Sequence, residues 1–257
     1  MNSNAIWTSF STILRREVRR FTRIWPQTLV PPVITMSLYF VIFGALIGSR
    51  IGDMGGFSYM EFVVPGLIMM SVITNSYSNV VSSFYSAKFQ RSVEELLVSP
   101  TPNWVIMAGY VLGGVSRGLI VGFVVTLIAL FFTHLQVQHI GITIAIVFMT
   151  SVLFSLAGFI NAIFANSFDD ISIIPTFVLT PLTYLGGVFY SIQLLSPFWQ
   201  GLSKLNPILY MVNAFRYGVL GVSDINVIWA FCGVLVFIAL LSAWGLHLMR
   251  HGKRLRH

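Results

Sequence analysis

Ser86-Ala-Lys-Phe-Gln-Arg-Ser-Val-Glu-Glu-Leu-Leu-Val-Ser-Pro-Thr-Pro102 is a charged island between two apolar runs, each long enough to cross a bilayer. Phe89, Val93, Leu96 and Leu97 recur at helical spacing on one face, Lys88, Arg91, Ser92, Glu94 and Glu95 fill the other, and Ser99-Pro100 stops the pattern. The spacing predicts a short amphipathic helix over 86–100 at a membrane surface. Two readings stay open: an interfacial loop helix packed on its own protein, or a docking surface for a soluble partner.

Working outward, the rest of the chain is nearly all membrane. With 257 residues, 56% hydrophobic and 9% charged, and a mean hydropathy of +0.84, it lacks the charge that a water-soluble surface needs. Spans and short loops use up the length, so no soluble domain fits and aqueous chemistry must come from another chain. The net charge of +7 sits beside apolar spans without aromatic platforms, which reads as topology signal and excludes a nucleic-acid partner. The single cysteine, Cys232, permits no intramolecular disulfide and no cysteine metal cluster. The first residues lack the apolar core and cleavage site of a secretory signal, so the numbered chain is expected to be the mature one.

Residues 1–26 predict an interfacial amphipathic helix lying in the headgroup plane. Ile13, Leu14, Val18 and Phe21 belong to its apolar face and Arg15, Arg16, Arg19, Arg20 and Arg23 to the other, with Glu17 in i+3 reach of Arg20. Residues 27–257 predict an all-α transmembrane domain of six spans, near 28–48, 61–84, 104–132, 142–164, 171–190 and 225–249. On the second, Ser71, Asn75, Ser78, Asn79 and Ser82 share an inward polar face that either hydrogen-bonds other helices or lines a transport route. The third carries Gly114, Gly118 and Gly122 as a close-packing seam, and Arg117, which must find a carboxylate, a carbonyl or a wet cavity. A fainter face on the fourth span, Ser151, Ser155, Gly158 and Asn161, is expected to meet that of the second. Asp169 and Asp170 are expected to cap the fifth span, which Pro175 and Pro181 should kink. Residues 191–223 are too apolar for an aqueous loop and break at Asn206-Pro207, predicting two re-entrant half-helices with Lys204 and Arg216 near the surface.

Basic residues cluster in the N-terminal helix, the island and the tail 250–257, so the positive-inside rule places both termini and the island in the cytoplasm. No phosphate-binding glycine loop, metalloprotease motif or nucleophile elbow occurs, and the histidines of 133–139 lack the companions of a metal site. The chain reads as a non-enzyme. An ion-gradient-driven secondary transporter is the alternative, but it calls for paired broken helices and buried carboxylates where a single broken region and a buried arginine stand.

The whole chain resembles the permease subunit of ABC-2 type transporters. The resemblance is carried by the basic amphipathic N-terminus, the segment Lys88 to Pro100, and Pro181-Leu-Thr-Tyr-Leu-Gly-Gly-Val-Phe-Tyr190 followed by Asn206-Pro-Ile-Leu-Tyr210 and Arg216. It implies a homodimer in a bacterial inner membrane, bound to two copies of a separate ATP-binding-cassette ATPase that carries the ATP and Mg, while this chain holds no cofactor. By the same resemblance, Lys88, Arg91, Glu94, Glu95 and Leu97 would belong to a coupling helix pushed by the ATPase, on which the N-terminal helix would rest. Ser71, Asn75, Asn79, Pro175, Pro181 and Tyr184 would line the substrate path, and Asn206, Pro207, Tyr210 and Arg216 would form its outer gate.

Overall fold

A computed structural model describes residues 3–251, so residues 252–257 of the predicted basic tail lie outside the described residues. The protein is an all-α bundle in which one central helix is wrapped by the others. Helix α1 (Ser3–Arg23) is followed by α2 (Trp25–Phe40), which passes through a π-helical stretch, Val41–Gly48, into a single turn, α3 (Ser49–Ile51). Pro31 and Pro32 sit inside α2. Strands β1 (Asp53–Met54) and β2 (Phe57–Ser58) then form a hairpin with Asp53 opposite Ser58. Its two central residues, Gly55 and Gly56, have φ of 60° and 85°, the conformation a tight two-residue hairpin requires and glycine adopts without strain.

The central helix is α4 (Tyr59–Phe89), 31 residues opened by a capping box in which Ser58 and Glu61 satisfy each other's backbone donors. After α5 (Ser92–Val98) come α6 (Asn103–Ala129) and α7 (Ile140–Phe164). A helical rod follows, made of α8 (Asp170–Ile174), a π-helical turn Pro175–Leu179 and α9 (Thr180–Tyr184). The chain closes with α10 (Pro197–Lys204), α11 (Pro207–Leu220) and α12 (Val227–His251).

Four of the six expected spans are apolar enough and long enough to cross a membrane: Trp25–Gly48, α6, α7 and α12. The other two fall short for different physical reasons. At 31 residues α4 is long enough, but its serines and asparagines dilute its hydropathy. The rod α8 to α9 ends at Tyr184, so it is shorter than the ~20 residues a straight crossing needs.

The glycine seam of α6 packs where expected. A Cβ at Gly114 would strike Val80, one at Gly118 would strike Ser76, and one at Gly122 would come within 2.6 Å of Val72. The two helices therefore run antiparallel in close register. The serine and glycine face of α7 meets α4 on a different side from the one predicted: Gly158 lies against the Tyr77 backbone, and a Cβ there would be 2.6 Å from the Tyr77 carbonyl oxygen. Backbone cannot yield as a side-chain tip can. Gly158→Leu is therefore expected to destabilise the bundle by about 3 kcal/mol, the upper end for overpacking. Gly141→Ala in the same helix, with nothing within 4 Å of the added Cβ, should leave the melting temperature unchanged or raised. Comparing the two melts in detergent checks the seam.

The capping role expected of Asp169 and Asp170 falls to Ser167 together with Asp170. The Ser167 hydroxyl accepts the Asp170 N–H (3.1 Å) while the Asp170 carboxylate accepts those of Asn166 (2.8 Å) and Ser167 (3.2 Å). Ser167 is thus the cap and Asp170, three residues on in the first turn, the acid of a capping box, and these bonds, that of Asn166 first, hold the Asp170 carboxyl below the usual carboxylate range.

Candidate functional site

At one end of the bundle the predicted single helix over 86–100 is two helices joined by an elbow. Lys88 closes α4, where its buried ammonium donates to the carbonyls of Ile163 (2.9 Å) and Ala165 (2.7 Å), clamping α4 to the C-terminus of α7. The sequence placed it on a solvated face; the structure places it beneath. Arg91 forms the elbow with φ 59° and ψ 5°, the one non-glycine residue with positive φ among those described. A left-handed arginine costs on the order of 1–2 kcal/mol, so the bend is enforced by the packing on both sides.

Beyond the elbow, α5 buries Val93 and rests Leu96 and Leu97 on the core, with Glu94 half-buried and Glu95 exposed. Both acids stand in the first turn, where the helix dipole favours them. Phe89, expected on the same apolar face, instead projects outward and meets Phe168 at 5.3 Å between ring centroids. Between α1 and α5 runs a groove of about 580 Å³ lined by Thr8, Ser9, Thr12, Ser99 and Thr101 together with the apolar Ala5, Ile13 and Leu96.

Helix α1 packs along the first half of α6. A Cβ at Gly109 would meet Ile13 and one at Gly113 would meet Glu17, so α1 follows α6 in the same direction over more than a turn. This brings charge inward. Arg15, Arg19 and Arg23 remain exposed, but Arg16 donates to the Tyr110 hydroxyl and Arg20 donates to both the carbonyl (3.0 Å) and side-chain oxygen (2.8 Å) of Asn79. Glu17, only 1% exposed, accepts from Ser83 (2.5 Å) and pairs with Arg16 (3.6 Å) and Arg20 (3.5 Å). Sequence reading valued Glu17 only as an exposed i,i+3 partner. The missed signal is its register: Ile13, Glu17 and Phe21 are spaced by four and are the three buried residues of α1.

One turn further in, Arg117 donates to the Asn75 side-chain oxygen (3.2 Å), and Asn75 donates in turn to the Ser71 carbonyl (3.0 Å). The polar face of α4 is thus engaged by arginines from α1 and α6. Pro175, Pro181 and Tyr184 lie elsewhere, on a rod whose row Ile173, Phe177, Pro181 and Tyr184 includes side chains turned outward. Among the described residues, Asn75 and Asn79 make their hydrogen bonds to α1, α4 and α6 and not to that row.

The opposite end is held by Arg216, which is 1% exposed. It donates to the carbonyls of Gly187 (2.7 Å) and Phe62 (3.3 Å), and its guanidinium sits 3.9 Å from the centre of the Phe62 ring. A cation this deep is tolerated because backbone oxygens and a ring face replace water. The predicted break at Asn206-Pro207 is present: the Asn206 side chain caps α11 through the Ile208 N–H (3.0 Å) and donates to the Leu182 carbonyl (2.5 Å), while the Tyr210 hydroxyl donates to the Lys204 carbonyl (2.8 Å).

Comparison with known proteins follows the same residues. The family model described as ABC-2 type transporter matches residues 8–220. The chain is 62% identical over 252 residues to the inner membrane transport permease YadH of Escherichia coli (strain K12), covering 97% of this chain and 98% of that protein. It is also 22% identical to nodulation protein J of Neorhizobium galegae, covering 86% of this chain and 82% of that one.

Proposed function

The chain belongs to the ABC-2 type transporter family, and from that premise we propose that it is the inner-membrane permease subunit of an ATP-binding-cassette exporter, working as a homodimer with two copies of a separate ATPase. In this reading the membrane is crossed six times, with α4 as the second span and the rod α8 to α9 as the core of the fifth. Both termini and α5 face the cytoplasm, by the distribution of basic residues. The ATPase supplies ATP and Mg and seats itself over α5 and α1, where the serines and threonines of the groove and the acids Glu94 and Glu95 offer polar contacts.

The observation that carries the mechanism is the continuity of α4. One end of this 31-residue helix is the Lys88 clamp and Arg91 elbow, and the other lies under Arg216, which grips Phe62. Closure of the ATPase pair displaces α5, the elbow passes that displacement into α4, and α4 delivers it to the carbonyls around Gly187 and to the gate residues Asn206, Pro207 and Tyr210. The second copy covers the outward rows Val30, Ile34 and Leu38 of α2 and Ile173, Phe177 and Tyr184 of the rod, which leave large apolar side chains bare in the single protomer. The substrate path then forms between protomers, with the rod's Pro175, Pro181 and Tyr184 on its wall and the α4 asparagines behind it.

Co-expression with an untagged ATP-binding-cassette subunit tests this. The subunit is expected to co-purify, and its ATPase rate in lipid nanodiscs to respond to added lipid. Vesicles in which this chain alone moved lipid or dye under an ion gradient, with no second protein present, would overturn it.

A further inference from the structure

We propose that the cleft between α10–α11 and α12 holds one anionic phospholipid of the leaflet at the Arg216 end of the bundle, with its acyl chain along α12 and its phosphate at Lys204. The cleft measures about 620 Å³, within the range of built ligand sites. Its wall on α12 is a row spaced by four, Trp229, Gly233 and Phe237, with buried Val234 as floor. Gly233 makes the slot: a Cβ there would meet nothing within 4 Å. Between the two aromatic rings a flexible chain lies flush against the helix.

Charge fixes which end of the lipid goes where. Lys204 is the one charged residue lining the cleft, no acid lines it, and its ammonium has no hydrogen-bond or ion-pair partner among the described residues. Tyr210 and Trp229 flank it, the aromatic types that favour headgroup depth. From Asn226 to Phe237 the helix climbs ~16 Å, half of a ~30 Å hydrocarbon core, which is the reach of one acyl chain of one leaflet. An anionic headgroup supplies that cation with a counter-charge, which a neutral lipid does not.

The full-length protein is purified in mild detergent, exposed to equal dioleoyl-phosphatidylglycerol and dioleoyl-phosphatidylethanolamine, and weighed with its retained lipid by native mass spectrometry. Wild type is expected to keep the anionic lipid about fivefold over the zwitterionic one, the attraction of one basic side chain at a membrane surface. Lys204→Ala should bring that ratio to about one, whereas Gly233→Leu, whose side chain fills the slot, should reduce retention of both. Equal retention in wild type, a preference that survives Lys204→Ala, or retention unmoved by Gly233→Leu would mean an adventitious annular lipid only, and the site falls.

Discussion

Reversing both acids of α5, Glu94→Lys with Glu95→Lys, is expected to reduce stimulated ATPase activity of the complex at least tenfold while the permease still folds. Like charge at a desolvated contact with a partner costs several kcal/mol, and every 1.4 kcal/mol is a factor of ten. The fold should lose far less, because α5 contributes Val93, Leu96 and Leu97 to packing and keeps all three. Losing two favourable charges at a helix N-terminus removes about 0.3–1 kcal/mol each. ATPase turnover in nanodiscs, read beside a melting curve of the isolated permease, separates the two effects. Full activity in the double variant would remove α5 from the path of the force.

Glu17→Ala is expected to destabilise the fold by about 2–4 kcal/mol. A buried acid that balances two arginines leaves both cations without their counter-charge and the Ser83 hydroxyl without its acceptor when it is deleted. The lower part of that range reflects side chains of Arg16 and Arg20 that are 46% and 33% exposed, so water screens part of the loss. Glu17→Gln preserves an acceptor for Ser83 and should fall about halfway. Melting of the three proteins in one detergent decides it, and equal melts would show that the carboxylate does not fasten α1 to α4 and α6. If α1 also transmits force, a variant rescued by added lipid to wild-type stability should still lose stimulated ATPase.

The apolar periodicities and the breakers were legible in the sequence, and they gave the helices, the glycine seam and the break at Asn206-Pro207 because those features depend on local spacing alone. Long charged side chains were less legible. Lys88 read as a surface residue because a charge is ordinarily solvated, and Arg216 was placed toward one face of the membrane without its partners; only the fold brings the α7 carbonyls to Lys88 and those of Gly187 and Phe62 to Arg216. The helix that covers α1 was out of reach for a related reason. An amphipathic stripe states that one face is covered without stating by what, and the glycines at 109 and 113 let α6 be the cover. Residues 86–102 and 191–216 were therefore legible as stretches of helix and breaker, while the hydrogen-bond partners of Lys88 and Arg216, distant in sequence, were out of reach.

The notched joint between α4 and α6 has a consequence for how such a protein can change shape. Val72, Ser76 and Val80 drop into recesses at Gly122, Gly118 and Gly114, a repeat of four residues or ~6 Å along the axis, so creep by a single residue would drive side chains into solid helix. Gradual sliding is barred. The pair behaves as one stiff strut that tilts whole or jumps a full notch, which confines compliance to its two tips.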